Sequence, residues 1–339
     1  MVTRDRLRRR DFAAQDSPLH SCPGQPVKKA KKMKAVYFNE NGGVDVLQYG
    51  DLPDPVAAAD EVVVDIHAAS VNGADWKVRE GSYAPTAFFP YVCGRDFSGV
   101  VCEVGSDVGD LAVGDAVFGV LPVGQEGTYC EKVATKAAVL AKKPDNISHV
   151  DINALSLIGL TACISIEESL KLQSGEKILI QGGAGGVAGF AIQLAKHIGA
   201  HVVTTASASN HEYVRALGAD EIIDYNAVDF TEAVSDCDAV FDTVGGDVAL
   251  KAFDVLKPGG RAAFIASGPK APEPTRDDVQ SLRPNVGRAR HYMERIAELY
   301  NAGVVTVPEI TLFDLKDAAE AQKISQSRHL RGKLILKIR

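Results

Sequence analysis

The sequence predicts an α/β fold: a doubly wound parallel sheet attached to a second domain shaped as a partly open β-barrel. Three observations predict it. Short β-branched runs follow one another from Met33 to about residue 136, strand and helix patterns alternate from Lys177 onward, and a glycine-rich loop joins the first of those later strands to an apolar helix. A chain of 339 residues exceeds what one hydrophobic core usually serves, so two domains are expected.

The early runs are "MKAVYF", "EVVVDIHAAS", "FSGVVCEV", "DAVFGV" and "YCEKVAT", punctuated by Gly, Asp and Pro. Strands this short and numerous suit a barrel that closes most of its edges. The stretch "NISHVDINALSLIGLTACISIEESLKLQSG" then carries helical spacing. Beyond it, strands read at "KILIQG", "HVVTTA", "EIID", "AVFDTV" and "RAAFIAS", with helices between them at "GGVAGFAIQLAKHIG", "HEYVRALG", "FTEAV" and "VALKAFDVLK". Alternation of this kind implies right-handed crossovers and a parallel sheet covered on both faces. A last helix at "ARHYMERIAELYNAG" precedes "VVTVPEITLF", a helix at "LKDAAEAQKISQS" and a final strand, "GKLILKIR", expected to return to the first domain.

Composition narrows the class. Apolar residues make up 46% and charged residues 24% of the chain, a balance that suits a packed globular protein. No apolar run approaches the roughly 20 residues that cross a bilayer, so a membrane partner is not expected. The six cysteines, at 22, 93, 102, 130, 163 and 237, form no CxxC pair, which suits free thiols in a reducing compartment. His67 and His197 are read as lacking partner histidines, so neither is a metal-site candidate. Residues 1–32 hold a strong excess of Arg and Lys although the whole chain has a net charge of −7. They are read as a disordered, solvated basic extension, with a mitochondrial targeting peptide, a nucleic-acid arm, an upstream start or an expression remnant as open alternatives. A cytoplasmic location is expected, or a mitochondrial one if the extension is a targeting peptide; a nucleic-acid partner is not expected.

The loop "ILIQGGAGGVAG" carries the chemistry. Gly183 makes the tight turn out of the strand, Gly185 lets backbone approach a pyrophosphate, and Ala188 packs the new helix on the sheet, a G-x-G-x-x-A pattern. Amides at the helix start face the phosphates, and the helix dipole favours their charge. A site that prefers NAD ends its second strand with a carboxylate for the ribose 2′-hydroxyl. Here that place reads "TTASASN", where Ser207, Ser209 and Asn210 offer neutral hydrogen bonds that tolerate a 2′-phosphate. NADP is therefore the expected cofactor.

From Met33 to Arg339 the chain resembles the zinc-independent branch of the medium-chain dehydrogenase/reductases, the quinone oxidoreductases and their enone reductase relatives. The stretches that carry the resemblance are "MKAVYFNENGGVDVLQYGDLPDP", "ASVNGADWKVREG", "GRDFSGVVCEVGSDV", "VGDAVFG", "GLTA", "GGAGGVAGFAIQLAK", "LGADEIIDY", "FDTVGG", "LKPGGR" and "RGKLIL". The resemblance implies a GroES-like catalytic domain over 33–154 with 302–339 and a Rossmann NADP-binding domain over 155–301. It also implies a homodimer formed through edge strands, and NADPH-dependent hydride transfer to a quinone or an α,β-unsaturated carbonyl compound. A 2-enoyl thioester reductase and a non-catalytic NADPH-binding protein are the alternatives. Gly94, Arg95 and Asp96 stand where the zinc alcohol dehydrogenases carry Gly-His-Glu, and a Cys-rich lobe is missing, so no metal is expected.

By the same resemblance, Asn72 of "SVNGAD" lies near nicotinamide and substrate, and Thr161 of "GLTA" near the cofactor's ribose and phosphates. Gly182, Gly183, Ala184, Gly185, Gly186 and Val187 hold the pyrophosphate, and Ser207 and Tyr225 the adenosine end. Val244, Gly245, Ala266 and Ser267 flank the ribose and nicotinamide, and Lys333 of "RGK" approaches the cleft. The family often places Arg or Lys where this chain has Ser209 or Asn210.

Four residues are candidates for chemistry. Asn72 can donate an amide hydrogen bond to an oxygen that gains charge. Asp75 and Lys77 can relay a proton or simply pair with each other on a helical turn. Tyr83, in the loop "EGSYAPTAFFPY", can offer a phenol, whereas Trp76 is read as packing. Arg95 and Asp96 are read as an ion pair under the cleft. Arg283, Arg288, Arg290, His291 and Arg295 are read as a wetted basic face, with an acidic substrate or a phosphate as the other possibility.

Overall fold

The computed structural model describes residues 31–339 apart from Ala84, Pro85, Ala87 and Pro269. The expectations for the basic extension fall almost wholly outside the described residues. Residues 32–339 form one compact unit.

The first half is β-rich, as its alternation requires. Its strands are β1 (Lys32–Phe38), β2 (Gln48–Pro53), β3 (Glu61–Val71), β4 (Tyr91–Val92), β5 (Asp96–Val104), β6 (Ala116–Val120), β7 (Lys132–Lys136) and β8 (Leu140–Lys142), with one short helix, α1 (Gly73–Arg79), after β3. Strands β2, β4 and β8 lack any alternating run and exist because neighbours pair with them: β1 takes β2 on one side and β4 on the other. Inward residues such as Val62, Val64, Ile66, Phe97, Val117 and Leu140 are almost wholly buried and make the barrel core.

Helix α2 (His149–Cys163) begins with Ser148 accepting from the Asp151 amide at 3.0 Å, a side-chain cap that satisfies one orphan donor. A wider π turn carries it on to Ser169. The whole helix is long and apolar enough to cross a membrane, contrary to the expectation that no such segment exists, yet 78% of its most apolar stretch is buried inside the protein. It packs on β3, β5 and β6 and also against helices of the second half, and the expected domain boundary at 154/155 falls within it.

The second half alternates as expected. Strands β9 (Lys177–Gln181), β10 (His201–Ala206), β11 (Glu221–Asp224), β12 (Cys237–Asp242), β13 (Leu256–Phe264) and β14 (Gln280–Leu282) form one sheet in the order β11-β10-β9-β12-β13-β14. Every pairing in it is parallel. Helices α3 (Gly186–Ile198), α4 (His211–Ala216), α5 (Phe230–Ala233), α6 (Asp247–Lys251) and α7 (Arg290–Asn301) connect or follow its strands. The helix expected over "VALKAFDVLK" stops at Lys251, because Leu256 already pairs with Cys237 as the start of β13. Then β15 (Ile310–Asp314), α8 (Ala318–Ser327) and β16 (Lys333–Lys337) lead back: β16 lies antiparallel to β3, with Leu334 opposite Val71. That return places Lys333 beside Asn72.

Candidate cofactor and substrate cleft

The glycine loop leaves β9 at its C-terminal end, where open parallel sheets bind ligands. A Cβ on Gly183 would lie 2.3 Å from Thr204 Oγ1, so only glycine lets the loop cross the second strand this closely. A Cβ on Gly185 would meet the Gly182 carbonyl oxygen at 3.3 Å, closer than an ordinary contact and with backbone that cannot rotate away, so the bare backbone of glycine suits this turn. Gly185 caps α3, and the first amides of that helix are available to an anion. The loop therefore fits a dinucleotide pyrophosphate.

Around it the ends of neighbouring strands converge. A Cβ on Gly182 would meet Val244, and one on Gly245 would meet the Ala266 carbonyl at 2.7 Å, which puts Val244, Gly245 and Ala266 in one rim with the loop. Buried Asp242 holds that rim by accepting from the amides of Val244 and Gly245 at 3.0 Å; burial raises its carboxyl above the usual range. Ser267 donates to the Lys270 carbonyl at 3.2 Å. On the far side, Ala206 pairs with Asp224, so Ser207 and Tyr225 leave adjacent strand ends. Ser207 lies 3.2 Å from Ser209 and accepts from Asn210 at 3.0 Å, a neutral cluster. Thr161 spends its hydroxyl on the Leu157 carbonyl at 2.8 Å.

Across the cleft, Asn72 caps α1. Its side chain is almost buried: Nδ2 donates to Asp96 at 2.8 Å and more weakly to Ser70 at 3.3 Å, and Oδ1 accepts from Lys333. Asp96 is itself fixed by Ser70 at 2.7 Å and by the Leu157 amide at 3.3 Å. Lys333 Nζ also donates to the Val71 carbonyl at 3.0 Å, and burial draws its pKa down, opposed by Asp96 and Asp75. Next to it, Gly332 pairs with Gly185 and donates to the Ala184 carbonyl at 3.1 Å. Two consecutive residues thus tie the glycine loop to Asn72.

Asp75 is fully buried and accepts from the Asn72 amide at 2.9 Å and the Tyr129 hydroxyl at 2.8 Å. Burial raises its carboxyl to about 7, opposed by Arg95 and supported by Glu126. It does not pair with Lys77, whose ammonium lies 5.5 Å from the Trp76 ring. The Arg95–Asp96 pair expected from sequence is not formed: Arg95 binds Glu126 at 2.5 Å and lies 3.7 Å from Asp75, because Asp96 is already taken by Ser70 and Asn72. Tyr83 stacks on the Arg95 guanidinium at 4.9 Å. His67 does have a neighbour, contrary to expectation, with its ring 4.3 Å from that of His149. Glu126, Tyr129 and Gly332 carried no independent sequence signal, since their partners are distant in the chain.

Two family models match the chain: an alcohol dehydrogenase GroES-like domain over residues 58–145 and a zinc-binding dehydrogenase over 217–336. It is 30% identical to "NAD(P)H oxidoreductase RTN4IP1, mitochondrial" of Mus musculus, covering 93% of this chain and 89% of that protein. The protein belongs to the medium-chain dehydrogenase/reductase family, in its quinone oxidoreductase branch. It is 33% identical to the NADPH-dependent alkenal/one oxidoreductase, chloroplastic, of Arabidopsis thaliana, over 90% of this chain and 80% of that one. Among solved structures, Escherichia coli quinone oxidoreductase complexed with NADPH superposes with a TM-score of 0.83 at 26% identity, over 90% of this chain and all of that one. Among the described residues no cluster of three or more His, Cys, Asp or Glu side chains could hold the zinc named in the second family model; Arg95 presents a guanidinium, and Asp96 is spent on Ser70 and Asn72. This family member is an NAD(P)H-dependent oxidoreductase of the quinone and enone reductase type.

Proposed function

We propose that the protein uses NADPH, without zinc, to reduce a quinone or an α,β-unsaturated carbonyl compound. The observation that carries the reading is the joining of the dinucleotide loop to Asn72 through Gly332 and Lys333. Bound NADPH would supply the hydride, and Ser207, Ser209, Asn210 and Tyr225 would hold its adenosine end. The amides following Gly185 hold the pyrophosphate. Val244, Gly245, Ala266 and Ser267 keep the nicotinamide end against the cleft. Lys333 and Asp96 orient the Asn72 amide from its two ends. With the amide plane so fixed, the Nδ2 hydrogen that makes only 3.3 Å contacts to Ser70 is the one available to an acceptor oxygen gaining charge. A proton then comes from solvent or from Tyr83 or Lys77 at the cleft.

The relatives named above include mitochondrial and chloroplastic proteins. A cytoplasmic location and a homodimer through edge strands such as β14 are part of this proposal.

Oxidation of NADPH and of NADH, followed at 340 nm with a quinone, a short enone and an enoyl thioester in the presence of EDTA, tests it. Turnover of quinone or enone that EDTA does not reduce is the expected result; a strong preference for the thioester, or loss of activity on chelation, overturns it. A second prediction concerns the neutral cluster after β10. Ser209→Arg is expected to raise kcat/KM for NADPH about tenfold while leaving NADH nearly unchanged, because a guanidinium pairs with a 2′-phosphate. Equal changes for both cofactors would show that the 2′-position does not lie there.

A further inference from the structure

Three cations on elements that border the cleft, Lys77 of α1, Arg283 after β14 and Arg328 at the end of α8, have no carboxylate partner among the described residues. Lys77 and Arg328 approach the Trp76 ring at 5.5 and 5.9 Å, so two positive groups share one aromatic platform. Burial lowers the pKa of Lys77, and Arg328 and Arg283 lower it further; Arg283 itself follows directly on β14, beside the end of β13 that leads to the Ala266 rim. Arg283 is held by one nitrogen, which donates to the Phe264 carbonyl at 2.6 Å where β13 ends. Arg288 stands apart from these: it donates to the carbonyls of Leu121, Val286 and Gly287, and burial and then Arg95 draw its pKa down to about 10, opposed by Asp96 and Glu126.

Among the described residues, none of Lys77, Arg283 and Arg328 forms an ion pair. Their neighbours in sequence do: Arg290 binds Asp110 and Arg295 binds Glu167. In a chain of net charge −7, partners are plentiful, so unpaired cations gathered at one cleft are poised for an anion from outside. That anion is not the cofactor's 2′-phosphate. The strand order places the end of β10 three strands from the end of β13, a separation of about 14 Å at the usual spacing.

We propose that the acceptor carries an anionic group, a carboxylate or a phosphate, received by Lys77, Arg283 and Arg328. The inference rests on the reductase reading above and names the class of acceptor within it.

Matched acceptors test it: an enone carboxylate against its methyl ester, and an enone phosphate monoester against the parent alcohol, each with NADPH. The anionic member of at least one pair is expected to show kcat/KM about tenfold higher at low salt, with the advantage shrinking as salt rises. Whichever pair shows it names the anion. In Arg283→Gln/Arg328→Gln the advantage is expected to vanish, chiefly through KM, while the neutral member and the NADPH dissociation constant stay within about twofold. Parity within both pairs in the unaltered protein overturns the proposal and leaves the reductase reading standing. So does a variant that slows both members equally, or one that weakens NADPH binding, since the cations would then serve the fold or the cofactor. Failure of every acceptor, neutral or anionic, to oxidise NADPH removes the reductase reading and the proposal with it.

Discussion

Gly332→Ala is expected to be the most damaging single methyl that can be added to this protein. Gly332 has φ +72°, a conformation that costs a residue with a Cβ about 1–2 kcal/mol. Its Cβ would also lie 2.0 Å from the Glu309 carbonyl oxygen, which belongs to backbone and cannot rotate away. The chain must shift to relieve that contact, and the shift is transmitted in two directions. Toward the nucleotide-binding half, it pulls on the Gly332 amide bond to Ala184 and the pairing with Gly185. Toward the barrel, it displaces Lys333, the donor to Asn72 and Val71. The combined loss should exceed about 3 kcal/mol, lowering Tm by about 5 °C or more, and NADPH affinity should fall by at least about tenfold. Thermal unfolding and a nucleotide fluorescence titration measure the two effects separately. A variant with unchanged Tm and unchanged affinity would mean that Gly332 does not join the glycine loop to the substrate side.

The contrast between Gly183 and Gly332 shows what a sequence can disclose. Gly183 sits in a local pattern of strand, turn and helix, so its neighbours announce it. Gly332 answers to Glu309 and Ala184, and only a family resemblance drew notice to the "RGK" around it. The parallel sheet was legible for the same local reason, because strand and helix periods alternate; β14 was not, since its three residues are held by pairing with β13 rather than by any pattern of their own. At the site, Asn72 and Lys333 were named from motifs. Which carboxylate meets Arg95 was misread, because sequence adjacency pointed to Asp96 whereas the fold delivers Glu126 from a separate loop. Of the cations read along the sequence as a wetted face, Arg290 and Arg295 pair in space with carboxylates, whereas Arg283 and Arg288 are held by backbone carbonyls.

Replacing Asp75 with asparagine is expected to change how stability depends on pH. The Asp75 carboxyl titrates at about 7 in the fold against 3.8 when exposed, because burial opposes its charge more than Arg95 favours it. Between those two values the folded protein holds a proton that the unfolded chain releases. Stability therefore falls as pH rises through that window, by about 1.4 kcal/mol per pH unit, and the effect levels off above pH 7. The sign is opposite to that of an ordinary salt-bridged aspartate. Over the window the contribution is on the order of 4 kcal/mol. Asparagine carries no charge at any pH, and its carbonyl can still accept from the Asn72 amide or the Tyr129 hydroxyl, the two bonds Asp75 makes at 2.9 and 2.8 Å. The stability of Asp75→Asn relative to the unaltered protein should thus increase steadily from pH 4.5 to 7, since Arg95, Glu126, Lys333 and every other titrating group is common to both. Urea unfolding midpoints across that range give the difference directly. A difference that does not vary with pH would mean that Asp75 is ionised throughout, and that Arg95, at 3.7 Å, compensates it fully. In that case the Asn72 cap would be anchored by a charged pair, and Arg95→Gln, not Asp75→Asn, would be the substitution that loosens the cleft.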